Sequence, residues 1–67
     1  MKVYLNNTAL ELESSSTLSN FLSGQNLLTT TGIAVAVNDE VISKSLWNSK
    51  DLQDGDKVVV ITATAGG

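Results

Sequence analysis

The sequence predicts an α+β domain: a mixed sheet of four to five strands with one main helix packed on one face. Three observations lead there. Short runs at both ends of the chain alternate polar and apolar residues, a single stretch near residue 20 has helical spacing, and Asn- and Gly-containing turns separate the runs. With 67 residues the chain is read as one domain over 1–67, with a tail at 63–67.

Lys2 to Asn6 alternates, with Val3 and Leu5 on one face. Asn6-Asn7 marks a turn, because Asn tolerates left-handed backbone. Thr8 to Glu13 alternates again, with Leu10 and Leu12 on one side and Ala9, Glu11 and Glu13 on the other. Together these predict an N-terminal hairpin. Ser14-Ser15-Ser16-Thr17 breaks the pattern, and Ser16 or Thr17 can cap a helix. Leu18, Phe21 and Leu22 then fall at i, i+3 and i+4, one helical face. Gly24 is read as the helix stop, with the end between Gly24 and Leu28, and Leu27 and Leu28 anchor the connection to the core.

Thr29-Thr30-Thr31-Gly32 is read as a loop and Ile33 to Val37 as the third strand. Ile33, Val35 and Val37 share one face and Ala34 and Ala36 the other. Asn38-Asp39 is a turn, Val41 and Ile42 begin a short fourth strand, and Leu46-Trp47 lies in a connection ending at Lys50. Asp54-Gly55-Asp56 turns the chain into a last strand, Lys57 to Thr62. The resulting order, β-β-α-β-β-β, fits a β-grasp. Trp47 is expected to cover an edge of the core, and Asp51, Asp54 and Asp56 to serve the turn rather than a cation, since they match no complete calcium loop.

Composition narrows the function. There is no Cys and no His, so disulfides, thiolate metal sites and the commonest general base are absent. A chain this short also has little room for a small-molecule pocket. The net charge of −3, from four lysines and seven acidic residues, offers no basic patch, so no nucleic-acid partner is expected. By itself the charge serves solubility, and it also suits encounter with a basic protein partner. No apolar run approaches the roughly 20 residues that span a bilayer, and Met1 to Asn6 lacks a signal-peptide pattern. The expectation is a cytoplasmic chain without a membrane partner.

The last strand departs from alternation. If Lys57 points to water, so do Val59 and Ile61, while Val58 and Val60 face the helix. Val59 and Ile61, with Ala34, Ala36 and Tyr4, would then form an apolar patch on the sheet's outer face, a candidate docking surface. A buried central strand would also read as continuous apolar residues, but one helix covers only one face.

Ala63-Thr64-Ala65-Gly66-Gly67 carries no large side chain. Glycine lacks Cβ, so its backbone threads channels that other residues cannot. A C-terminal carboxylate becomes an acyl donor once adenylated.

Several segments together resemble a known family. They are Ile33-Ala34-Val35-Ala36-Val37-Asn38-Asp39-Glu40-Val41-Ile42, Ser45-Leu46-Trp47, Leu52-Gln53-Asp54-Gly55-Asp56-Lys57-Val58, and Ile61-Thr62-Ala63-Thr64-Ala65-Gly66-Gly67. In this order they are similar to the ThiS family, the ubiquitin-like sulfur carriers of thiamine biosynthesis. The resemblance implies a ubiquitin-like β-grasp. It implies that an E1-like adenylyltransferase, using ATP and Mg²⁺, adenylates the carboxylate of Gly67. A sulfur-donor persulfide enzyme then supplies sulfur to form a thiocarboxylate, which thiazole synthase consumes. In this reading Gly67 is the reactive residue, and Gly66, Ala65, Thr64 and Ala63 give access to the partner's channel. Val59, Ile61, Ala36 and Tyr4 dock the sheet. The chain binds no cofactor or metal of its own and is a tethered co-substrate rather than a catalyst.

Three alternatives stand beside this one. They are the carrier of molybdopterin synthesis, a ubiquitin-like modifier, and an interaction module with an inert tail. The absence of proline favours the thiamine branch over the molybdopterin one.

Overall fold

The computed structural model describes residues 1–12, 15–28 and 32–62. The elements follow the predicted order: β1 (Lys2–Leu5), β2 (Thr8–Glu11), α1 (Leu18–Gly24), β3 (Ile33–Val37), β4 (Glu40–Ile42) and β5 (Lys57–Thr62). A short 3-10 helix, Lys44–Leu46, precedes Trp47 and was not legible in the spacing. The strands form one sheet in the order β2-β1-β5-β3-β4. β5 runs parallel to β1 and antiparallel to β3, so the last strand occupies the centre of the sheet. This is the mixed β-grasp arrangement with one helix.

Both hairpins close through two residues. Leu5 pairs with Thr8 across Asn6-Asn7, and Val37 with Glu40 across Asn38-Asp39. All four turn residues have positive φ, as a type I′ turn requires, and Asn and Asp adopt it at little cost. Gly55, at φ 89, serves the same need before β5.

α1 is seven residues long and would be marginal alone. The first three amides of its helical residues are satisfied from outside the helix ladder. The Leu18 and Ser19 amides donate to the Lys50 and Trp47 carbonyls, and the Asn20 amide donates to Thr17 Oγ1 at 3.1 Å. Its end corrects the reading of Gly24. The left-handed residue is Asn26, at φ 61. Leu27 N donates to Leu22 O and Asn26 N to Ser23 O, the Schellman pattern. Gly24 is simply the last helical residue. Leu27 and Leu28 pack half-buried against the core, as expected.

The core comprises Val3, Leu18, Phe21, Leu22, Val35, Val37, Ile42, Trp47, Leu52 and Val58. Trp47 lies deeper than an edge cover. It is buried, and its indole N–H donates to the Ile42 carbonyl at 2.9 Å. That bond satisfies the one polar atom a buried indole carries.

Candidate functional site

The inner and outer faces of the sheet follow directly from strand alternation. On β5, Val58 is 1% exposed, Val59 38% and Ile61 60%. Register then assembles the outer face. Val59 lies opposite Ala36, Ala36 opposite Val41, and Ile61 opposite Ala34. Paired residues share a face, so Val41, Ala36 and Val59 form one row across three strands. Ile61 and Ala34 form the next row.

Of the residues singled out for docking, Val59, Ile61 and Ala36 are thus brought together. Tyr4 is on the same face but level with Lys57 on one side and Ala9 on the other. It borders the patch diagonally and is half-buried. Val41, 74% exposed, is a member that alternation on the last strand did not reveal. The two-residue turn at Asn38-Asp39 was the available signal, because it sets Val41 across from Ala36. Leu46 is also exposed. Gly67, Gly66, Ala65, Thr64 and Ala63 lie outside the described residues, as do Glu13, Ser14, Thr29, Thr30 and Thr31.

The patch is bordered by a polar corner. Asn38 Oδ1 accepts from the Lys57 amide at 3.0 Å and its Nδ2 donates to Asp56 Oδ1 at 3.0 Å. Asp56 Oδ2 accepts from the Gln53 amide, and Asp54 Oδ1 from the Lys2 amide at 2.7 Å. These carboxylates are occupied in closing the turn, as read from the sequence. Asp51 sits elsewhere, in a bridge with Thr17. Among the described residues no cluster of carboxylates is placed to hold a metal ion. No helix of the described residues is long and apolar enough to cross a membrane.

The described residues thus present an exposed apolar face in which Val59, Val41 and Ile61 are the large side chains. Two solved structures share the fold. The crystal structure of a thiamine biosynthesis protein, ThiS, from Geobacter metallireducens superposes with a TM-score of 0.86 at 22% identity, covering all of both chains. The solution structure of a thiamine biosynthesis protein from the same organism gives 0.79 at 22% identity, covering all of this chain and 88% of that one. No curated protein matches the chain. The sequence model of the ThiS family matches residues 3–67, nearly the whole length, and the chain belongs to the ThiS family.

Proposed function

We propose that the protein is a sulfur carrier of thiamine biosynthesis, activated at the carboxylate of Gly67. The observation that carries this reading is the family match over residues 3–67, which spans both the exposed sheet face and the Gly66-Gly67 end. An apolar face on the outside of a small domain suits a protein recognised by larger enzymes in turn.

The chemistry is placed on the chain's end. The Gly67 carboxylate attacks the α-phosphorus of Mg²⁺-bound ATP on an E1-like partner, releasing pyrophosphate and forming an acyl-adenylate. The outer sulfur of a persulfide displaces AMP at the acyl carbon. A thiol then reduces the S–S bond, leaving the thiocarboxylate and a disulfide. Thiazole synthase takes the sulfur, and the carboxylate returns. The carrier is a co-substrate throughout: ATP and Mg²⁺ belong to the partner. Val59, Ile61, Ala36 and Val41 supply the docking contact, with Tyr4 at its border. Gly66, Ala65, Thr64 and Ala63 are small enough to pass a narrow channel.

Incubation with an E1-like activating enzyme, Mg²⁺-ATP and a persulfide donor tests the reading by intact mass. The expected product gains the mass of one oxygen-for-sulfur exchange, localised to Gly67. An unchanged mass, or isopeptide adducts on other proteins, would contradict it.

A further inference from the structure

We infer that Asn6 is a positioning residue for the reactive end of the carrier, acting through a side-chain clamp on Val60. The inference rests on the carrier reading above and adds a residue that neither the docking face nor the tail contains.

The argument starts from where β1 stops. β1 accompanies β5 only as far as Leu5, opposite Val58. The last backbone bond of this ladder runs from Asn6 N to the Val58 carbonyl, at 2.9 Å. Asn6 then turns away toward β2 with φ 48. A parallel ladder would continue with two further backbone groups, a carbonyl for Val60 N–H and an amide for Val60 C=O. The turn removes both from reach. The Asn6 side chain supplies substitutes: Oδ1 accepts from Val60 N at 2.9 Å, and Nδ2 donates to Val60 O at 3.3 Å. One primary amide thus stands in for two strand residues.

Asn38 does comparable work at the opposite end of β5. Its Oδ1 accepts from Lys57 N while its own amide donates to Lys57 O at 2.8 Å. The two sites differ in what else holds the strand. Lys57 has β1 beside it, at Tyr4. Val60 lies past the end of β1, and without Asn6 only β3 would restrain residues 60–62. Those residues carry Ile61 of the docking face and lead covalently into 63–67. Restraint on both edges fixes the position and direction of residues 60–62, to which 63–67 are attached. In an adenylation step, that direction governs how often the terminal carboxylate meets the α-phosphorus. It has little bearing on how tightly the sheet docks.

ATP–pyrophosphate exchange by an E1-like activating enzyme, with the full-length carrier as variable substrate, separates these effects. Asn6→Gly removes the amide but accepts the positive φ, so the turn is retained. It should lower kcat about tenfold at an unchanged carrier KM, whereas Val59→Asp should chiefly raise KM. Amide hydrogen exchange should quicken about tenfold at Val60 and stay unchanged at Val58. If Asn6→Gly fails to fold, Asn6→Asp, isosteric and turn-compatible, carries the same test by removing the donor alone. An undiminished kcat in the folded variant, or a loss confined to KM, overturns the inference while leaving the carrier reading intact. A wild-type chain that supports no exchange overturns both.

Discussion

The two faces of β5 are built from nearly the same residues and have opposite fates. Val58 is enclosed in the core with Leu18, Phe21 and Leu22 of α1, while Val59 and Ile61, which alternate to the opposite face, are left open. Residue type does not distinguish them, since all three are β-branched aliphatics. The difference is that a 67-residue chain with one helix can cover a single face. The inner face carries the stability of the domain, and the outer face is available for encounters.

That contrast can be broken most directly on the inner side. Leu22→Ala, at a fully buried α1 position, should cost about 2–5 kcal/mol in denaturant unfolding. A domain of this size has roughly 3–10 kcal/mol in total, so a large share of its stability would be lost. A loss below about 1 kcal/mol would mean that α1 is not what closes the inner face. A smaller effect, of opposite sign, is expected at the helix end. A Cβ built at Gly24 meets nothing within 4 Å, and the left-handed position belongs to Asn26. Gly24→Ala should therefore raise stability by about 0.4–1 kcal/mol, read as a higher denaturation midpoint. Destabilisation would restore Gly24 as the required stop. The smallest change in stability is expected on the outer face. Ile61→Thr keeps β-branching and should alter unfolding by no more than about 0.5 kcal/mol. The same variant should weaken binding to an activating enzyme several-fold, measured by titration calorimetry. Unaltered affinity would remove Ile61 from the docking surface.

Much of the fold was legible because its determinants are local. The limits of β3 and β5 match the runs Ile33 to Val37 and Lys57 to Thr62, and both Asn-containing turns close their hairpins where expected. Leu18, Phe21 and Leu22 are buried together on one helical face. Of the candidate site, Val59, Ile61 and Ala36 could be placed by alternation within single strands. Val41 could not, because its membership depends on pairing with β3. The depth of Trp47 likewise depends on how residues 44–50 fold back over the start of α1, which no periodicity encodes.

By itself the sequence determined the strands and the main helix, their hairpin turns, the apolar stripe of the helix and the family to which the chain belongs. These follow from residue-level preferences: β-branching and alternation for strands, left-handed tolerance for Asn, Asp and Gly, and i, i+3, i+4 spacing for the helix. Only the tertiary structure decided that β5 is inserted between β1 and β3, that Asn26 ends α1, and that Asn6 grips Val60 from 54 positions away. Contacts of that separation are set by which edges remain unpaired once the chain has collapsed around one core. No window of neighbouring residues contains that information.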